Sequence, residues 1–242
     1  MRALTFAGFT AGAMLGGVSA AAAYGSVSKS SQLFGPSVYR GAVGRRSVAL
    51  TIDDGPTEST LALLDYLESE GAMATFFQCG MNVQRFPHIA GRVVAAGHEI
   101  GNHTFSHPRL TFRSPEFIDR EITEAQKIIQ FETGITPMLL RPPYGFCWPG
   151  MRAVQYKLSL LGVMWTVMGY DWRWPAKRIA EYVLARSFPG GIICLHDGRG
   201  VQQSPDITQT LEAVRTIVPV LKDLGYKFEV VSDILRDTPP AR

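Results

Sequence analysis

Two short segments of the chain combine residue types that could hold a metal ion. Asp53 and Asp54 are adjacent carboxylates at the end of an apolar run, and His103 and His107 are spaced by four residues. Pro108 disfavours helical geometry at His107, so we expect the histidines in a loop or a single turn. Two imidazoles and one carboxylate form a zinc site that keeps one coordination position open for water. The pattern favours a metal-ligand role for the two histidines, although an Asp pair before Gly-Pro is also typical of a plain turn.

Two further polar clusters could orient and protonate a reacting group. Arg141 is followed by two prolines and Tyr144, and the prolines make a loop whose backbone is nearly preset. An Arg there can clamp a carboxylate, and the loop can aim a backbone N–H at an oxyanion. His196 follows the apolar run 191–195, and its ordinary pKa of about 6.5 suits acid–base work near neutrality. Taken alone, each cluster is equally consistent with a Pro-rich connection or a capped turn.

The segments between these clusters alternate between strand and helix patterns. Strands are predicted at residues 47–52, 74–78, 98–101, 138–140, 163–167, 191–195 and 227–231. Helices are predicted at residues 59–70, 88–96, 115–131, 151–161, 176–188 and 207–224. This alternation predicts an α/β fold in one domain, a distorted or incomplete (β/α) barrel of about seven βα units. Functional side chains of such folds collect at the strand ends, which is where the polar clusters fall.

The amino-terminal residues differ in composition from the rest of the chain. No charge occurs between Arg2 and Lys29, and the stretch is rich in apolar and small residues. We therefore expect residues 1–24 to be a secretory signal peptide or a retained membrane anchor, with a buried core helix as the third reading. Export to the periplasm or exterior, or to the outer face of the cytoplasmic membrane, follows from the first two. Residues 25–45 are expected to be a linker or extended lead-in segment, 46–235 the domain and 236–242 a tail.

Charge and cysteine content exclude several classes of protein. The net charge of +3 is spread over separate residues, so we predict no nucleic-acid partner. We expect membrane contact only through the amino-terminal segment and predict no protein partner. Cys79, Cys147 and Cys194 do not make a disulfide framework or a zinc ribbon, although one pair could bridge in an oxidising compartment. Cys194 is expected to be a buried, inert thiol, and His98 a hydrogen-bonded structural histidine.

Taken together, the clusters resemble the motifs of a known family. The matching segments are Thr-Ile-Asp-Asp-Gly-Pro, His-Thr-Phe-Ser-His, Arg-Pro-Pro-Tyr-Gly, Asp-Trp and Leu-His-Asp, in this order. They resemble the polysaccharide deacetylases, the NodB-homology domain of carbohydrate esterase family four, over residues 46–235. The resemblance implies removal of N-acetyl groups, or O-acetyl groups, from a polysaccharide or oligosaccharide of the cell envelope or exterior, and it leaves peptidoglycan, chitin fragments, an exopolysaccharide and acetylated xylan open as substrates. It also implies one divalent metal ion, zinc or alternatively Co²⁺, Ni²⁺ or Mn²⁺.

The resemblance also assigns a role to each matching residue. By this match, Asp54, His103 and His107 are the metal ligands, and Asp53 is the catalytic base. The other assigned residues orient the base (Arg141), hold the oxyanion through a backbone N–H (Tyr144), act as general acid (His196) and support that acid (Asp171). Three further residues are expected to contact the substrate around its acetyl group: Trp172, Leu195 and Pro142.

Two positions depart from the family pattern. Ile52 stands where Phe is more usual, and Met168 stands where an earlier Asp is usual. The second departure affects the local hydrogen bonding of the loop that carries Asp171.

Two other functions stay open: a same-fold hydrolase of small amides or cyclic imides, and an inactive envelope protein that only binds glycan. The complete set of ligands and base argues against both the metal-free and the inactive relatives.

Overall fold

One parallel sheet with helices around it makes up the part of the chain that the computed structural model describes, residues 22–236. The strands are β1 (Ser37–Val38), β2 (Ser47–Asp53), β3 (Ala74–Gln78), β4 (Glu99–Asn102), β5 (Leu139–Leu140), β6 (Leu161–Val163), β7 (Val167–Met168), β8 (Gly191–His196) and β9 (Lys227–Phe228). After a helical segment at residues 22–27, the helices are α1 (Thr60–Glu70), α2 (Gly80–Arg85), α3 (Pro87–Ala95), α4 (Pro115–Thr133), α5 (Met151–Leu158), α6 (Ala176–Leu184), α7 (Thr208–Asp223) and α8 (Val231–Leu235), with a 3₁₀ turn at Pro143–Gly145.

The sheet curls into a barrel that does not close by strand pairing. Its order is β1-β6-β5-β4-β3-β2-β8-β7, and β9 pairs with the start of β2. Every strand pair is parallel, so all strands end at the same edge of the sheet. Within the described residues, β1 and β7 at the two ends of this order do not pair with each other. The predicted fold, an incomplete (β/α) barrel, is confirmed.

Side chains of the strands alternate between the barrel interior and the surrounding helices. On β2, Val48, Leu50 and Ile52 belong to the core that packs against the helices, whereas Ala49 belongs to a second, inner core. Strand alternation therefore turns residues 51 and 53 towards the interior. Polar side chains at these two positions are buried between strands, where they need partners inside the barrel.

The long helix α4 begins and ends where the sequence predicts. The side chain of Ser114 accepts a hydrogen bond from the backbone N–H of Phe117, and Pro115 occupies the first turn. Gly134 ends the helix with φ of 73°, a conformation that glycine adopts without the steric cost of a Cβ. The buried face of this helix packs against α2, α3 and α5 and covers the loop that carries the two histidines.

The predicted strand at residues 163–167 is wrong, because this stretch contains the ends of two separate strands. The backbone N–H of Met164 donates to Val38 on β1, whereas that of Thr166 donates to Ile192 on β8. The chain thus changes partner within three residues as it crosses the opening between the two ends of the sheet. Crossing the opening breaks the strand, although the apolar composition of 163–167 continues throughout.

Smaller differences occur at the ends of the chain and of some helices. The predicted strand 227–231 is shorter than expected, because residues from Val231 onward form α8. The short helix α2 was not predicted. Residues 25–45, predicted as a linker or lead-in segment, contribute β1 to the sheet. No helix within 22–236 is long and apolar enough to span a bilayer. Residues 1–21 and 237–242, which contain most of the predicted signal or anchor and the tail, lie outside the described residues.

Candidate active site

Four strands deliver polar side chains to one edge of the sheet. Asp53 ends β2 and His196 ends β8, and these residues are directly opposite each other in the parallel register. His103 follows the last residue of β4, and Arg141 follows the last residue of β5. A cavity of about 470 Å³ opens at this edge, and Asp53, His103, His107 and His196 all line it. The predicted motifs are therefore brought together around a single cavity.

Asp54, His103 and His107 form a cluster with the composition of a metal site. Oδ1 of Asp54 lies 3.3 Å from Nε2 of His103 and 3.0 Å from Nε2 of His107. Asp54 has φ of 77°, so β2 ends here and its alternation no longer governs the direction of the next carboxylate. His107, with φ of 57°, lies in a loop as expected. One atom from each residue is within 4.8 Å of the other two, close enough to share an ion.

The surroundings of these three side chains fit a divalent cation. Nδ1 of His103 lies 2.7 Å from the carbonyl oxygen of Arg141, which can only accept, so the proton is on Nδ1 and Nε2 carries the free lone pair. Oδ1 of Asp54 is buried without a hydrogen-bond partner. Burial alone would raise the pKa of Asp54, but when no ion is bound, hydrogen bonds from His103 and His107 in their protonated forms, together with the charge of His196, hold it well below its ordinary value. An ionised carboxylate and a lone pair on imidazole are the donors that a metal ion requires.

The loop after β8 closes over the cluster through two glycines. The backbone N–H of Gly200 donates to Oδ2 of Asp54 at 2.8 Å. A Cβ at Gly200 would lie 3.1 Å from Nδ1 of His107, and one at Gly198 would lie 2.6 Å from Cβ of Asp54. Side chains at these positions would push the loop away from the carboxylate. The glycines therefore allow a backbone contact that holds Asp54 in place.

Asp53 is held separately from the metal cluster by a buried Arg. Nη1 of Arg141 donates to Oδ1 of Asp53 at 2.7 Å, and neither side chain is more than 4% exposed. The thiol of Cys194 lies 3.5 Å from Oδ2 of the same carboxylate. The guanidinium also reaches Thr51 and two backbone carbonyls, which fixes its position. The buried contacts therefore orient the carboxylate of Asp53, and the residue also lines the cavity.

His196 faces the cavity with a carboxylate behind it. Nδ1 of His196 donates to Oδ1 of Asp171 at 2.8 Å, and Oδ2 of Asp171 accepts from the backbone N–H of His196 and from Oγ1 of Thr210. Burial lowers the pKa of His196, but Asp171, with the more distant Asp54 and Asp53, raises it to about 9. The imidazolium form is thus favoured at neutral pH, with Nε2–H as the donor that Asp171 leaves free.

The remaining predicted residues differ in how they relate to the cavity. Pro142, Tyr144 and Trp172 line it, and Tyr144 has φ of 61° within the 3₁₀ turn. Leu195 is fully buried in the core next to the helices and does not line the cavity. It lies between Cys194 and His196, whose side chains face the interior, so strand alternation directs it outward.

Further residues also lie at the site. Trp165 and Met168, the latter at the position that departs from the family pattern, line the cavity, and so do Arg199 and Gly200, which the sequence analysis did not single out. Asp197 lies beneath it, where Oγ1 of Thr60 donates to its carboxylate and burial raises its pKa to about 7. The only sequence signal for the loop was the pair of glycines flanking Arg199 after Leu-His-Asp.

His98 and the three cysteines lie away from solvent. Nδ1 of His98 accepts a hydrogen bond from the backbone N–H of Ala74, and burial lowers the pKa of His98 to about 4. Cys79, Cys147 and Cys194 are all buried and free. The buried thiol expected at Cys194 is confirmed, and none of the three forms a disulfide.

Comparison with known sequences identifies the family of this chain. The family model described as Polysaccharide deacetylase matches residues 40–163. A peptidoglycan-N-acetylglucosamine deacetylase of Bacillus cereus is 35% identical over 192 residues, covering 78% of this chain and 68% of that protein. A chitooligosaccharide deacetylase of Bradyrhizobium sp. is 36% identical over 193 residues, covering 76% and 88% of the two chains. The chain belongs to the polysaccharide deacetylase family.

Solved structures share the fold as well. The structure of Bc1960 peptidoglycan N-acetylglucosamine deacetylase matches with a TM-score of 0.77 and 32% identity, covering 84% of this chain and 94% of that one. BA3943 of Bacillus anthracis, described as a CE4 family pseudoenzyme, matches with a TM-score of 0.75 and 27% identity over 83% and 69% of the chains. The family thus includes both active and inactive members, and the residues of this chain must decide between them.

The metal cluster is testable by removing one ligand. We expect His103→Ala to weaken Zn²⁺ binding by more than about 100-fold, because it removes a directly bound nitrogen. Metal content after dialysis and calorimetric titration would measure the change. His88→Ala, at an exposed position on α3, is the matched control and should bind Zn²⁺ like the unmodified protein. Stoichiometric, tightly bound zinc in a folded His103→Ala protein would contradict the assignment.

The charge state of His196 is testable in the metal-free protein by NMR titration. We expect His196 to titrate well above its ordinary pKa, near 9, because Asp171 favours the imidazolium form. Asp171→Asn removes that charge and should lower the pKa by at least about one unit. Asp223→Asn, an exposed substitution elsewhere, should leave it unchanged. An unshifted His196 in Asp171→Asn would show that the carboxylate does not set this charge state.

Proposed function

We propose that this chain is a metal-dependent deacetylase that hydrolyses N-acetyl groups, and by the same chemistry O-acetyl groups, on a polysaccharide or oligosaccharide. The proposal depends on one observation: the candidate metal ligands, base and acid all surround one cavity. A metal-type cluster and an oriented carboxylate lie at one part of its wall, and the imidazolium of His196 lies at another. These are the groups that amide hydrolysis needs: an activated water, a base and an acid for the leaving amine.

The cofactor in this proposal is one divalent metal ion. We propose zinc, because two imidazoles and one carboxylate are typical zinc ligands. Asp54, His103 and His107 would hold it and leave coordination positions open towards the cavity. When bound there, such an ion acidifies a water molecule and polarises the acetyl carbonyl. Co²⁺, Ni²⁺ or Mn²⁺ would serve the same chemistry with the same ligands.

Asp53 acts as the base, and Arg141 orients its carboxylate. Asp53 accepts the proton that water releases as its oxygen attacks the carbonyl carbon. Arg141 fixes the carboxylate through the 2.7 Å contact to Oδ1, and Oδ2, which lies 3.5 Å from the thiol of Cys194, keeps a further lone pair to receive the proton. The backbone N–H of Tyr144, in the loop set by two prolines, donates to the carbonyl oxygen as negative charge develops there.

His196 completes the reaction at the nitrogen. An amine anion is too basic to leave, so the nitrogen must gain a proton as the C–N bond breaks. The imidazolium of His196 supplies that proton from Nε2, and Asp171 holds the ring by Nδ1. The products are acetate and a sugar with a free amino group. Trp172, which is 48% exposed at the cavity, and Pro142 form the surface around the acetyl group.

The alternatives are weaker on physical grounds. A small-amide hydrolase needs an enclosed pocket that surrounds its substrate, whereas this cavity is bordered by exposed aromatic side chains, including Tyr144 and Trp172. An inactive glycan-binding protein would be expected to lack a ligand or the base, and this chain has the full set. Since the named relatives are deacetylases of peptidoglycan or chitooligosaccharide, we place the activity outside the cytoplasmic membrane, reached by export through residues 1–24.

Acetate release is the direct test of the function. We expect the purified protein to release acetate from N-acetylated oligosaccharides, to stop after chelation and to recover when Zn²⁺ is returned. Asp53→Asn should bind Zn²⁺ within a few fold of the unmodified protein yet show no turnover, because the base no longer accepts a proton. If Asp53→Asn instead lost the metal, the roles of the two carboxylates would have to be exchanged. Full activity of a metal-free preparation would refute the metal dependence.

The acid role of His196 has a separate signature. We expect His196→Ala to lower kcat for an amide substrate by about 10²–10⁴-fold while Zn²⁺ and substrate still bind. On an acetyl ester the loss should be smaller, because an alkoxide leaves with less need for a proton. Steady-state kinetics on both substrate types measure the difference. An equal loss on amide and ester, or loss of zinc, would argue for a structural role of the imidazole.

A further inference from the structure

A second cavity of about 450 Å³ adjoins the catalytic one, and the proposed reaction does not use it. Trp172 and Arg199 line both cavities, so the two form one continuous depression. The volume lies in the range of small-ligand sites. A glycan chain that places one sugar at the catalytic cavity must place a neighbouring sugar beside it. The second cavity is therefore a place for that neighbouring sugar.

The floor of this second cavity is aromatic. Trp172 and Trp174 line it, and the ring of Tyr170 packs 4.7 Å from that of Trp174. The guanidinium of Arg178 covers Trp174 at 4.2 Å and keeps the ring in place. Partly exposed aromatic rings held rigidly in this way present a flat apolar surface with polar groups at its edge, which suits the faces of a pyranose ring.

The charges of the second cavity are unbalanced towards the positive. Nη1 and Nη2 of Arg199 donate to the backbone carbonyls of Gly198 and Asp171, at 2.6 and 3.2 Å. Arg173 lines the second cavity but not the catalytic one. Within residues 22–236, neither Arg173 nor Arg199 forms an ion pair. These two carbonyl contacts fix the Arg199 guanidinium and leave other N–H donors without a protein acceptor.

Two carboxylates oppose this charge. Asp171 is already compensated by His196. Asp206 is exposed and lines the second cavity, and its pKa is lowered mainly by hydrogen bonds from Thr208, with a contribution from Arg199. One uncompensated carboxylate thus faces two guanidinium groups. The balance favours a ligand with a negative charge, and a planar guanidinium is well suited to a carboxylate.

We infer that the second cavity is a subsite for a sugar that bears a carboxylate and neighbours the sugar being deacetylated. This inference rests on the proposed function and narrows its substrate. A neutral chain of N-acetylglucosamine, as in chitooligosaccharide, offers Arg173 and Arg199 hydroxyl and carbonyl oxygens but no negative charge. In a peptidoglycan strand, the neighbour of each N-acetylglucosamine carries an ether-linked carboxyl group, which is a free carboxylate wherever no stem peptide is attached to it. The structure thus assigns the chain to acidic glycans of this alternating type.

A pair of oligosaccharides that differ only in charge tests the inference. The probe is a tetrasaccharide of alternating N-acetylglucosamine and N-acetylmuramic acid, and its neutral partner has the same carboxylates converted to carboxamides. Acetate release from each gives a ratio of kcat/KM values. We expect the unmodified, zinc-loaded protein to prefer the acidic form, and Arg199→Gln to reduce that ratio by about threefold to tenfold, mainly through KM. The preference should also shrink as ionic strength rises.

Two further variants separate the subsite from general damage. Arg173→Gln, at an exposed position, should lower the ratio in the same direction. Arg186→Gln is the matched control, since Arg186 stacks on Tyr182 outside both cavities, and its ratio should stay that of the unmodified protein. Equal activity on both tetrasaccharides, or equal losses on both in Arg199→Gln and Arg173→Gln, would overturn the inference while leaving the deacetylase proposal intact. No acetate from either tetrasaccharide or from chitotetraose would instead refute the proposed function.

Discussion

A buried guanidinium determines the geometry of the site. Arg141 has no exposed surface, and a charge removed from water is tolerated only when it is paired and fully hydrogen-bonded. Its side chain donates to four acceptors, on Asp53, Thr51, Val163 and Met164. These acceptors belong to β2, to β6 and to the crossing after β6, so one side chain joins strands that are not neighbours in the sheet. Asp53 therefore serves both as the counter-ion that makes this burial possible and as the proposed base.

Much of this arrangement could be predicted from the sequence, because it follows from parallel strand direction. Each apolar run stops at a polar cluster, and parallel strands end at one edge, so Asp53, His103, Arg141 and His196 had to meet. The incomplete barrel followed from the same alternation of strands and helices. The caps of α4 were also predictable, since Ser114 acts through a hydrogen bond to its own first turn and needs no distant partner.

What could not be predicted depends on contacts between distant segments. The run at 163–167 looks like one strand, but its carbonyls accept from Arg141 and its N–H groups pair with two different strands. Leu195 matches the family motif, yet its direction depends on which face of β8 is the interior. The position of Arg199 at two cavities depends on glycines that let its loop approach Asp54. Each case needs the coordinates of a partner far away in the chain.

The loop that connects β8 to α7 has a consequence for how this enzyme family could change its specificity. His196, the last residue of β8, and the loop residues that follow it up to Gly200 provide the imidazole, the carbonyl of Gly198 that holds Arg199 and the N–H that binds Asp54. A backbone shift that improves one of these contacts moves the other two. Substitutions between residues 196 and 200 will therefore be energetically coupled, and their effects will not add. A change of specificity through this loop therefore requires several substitutions at once.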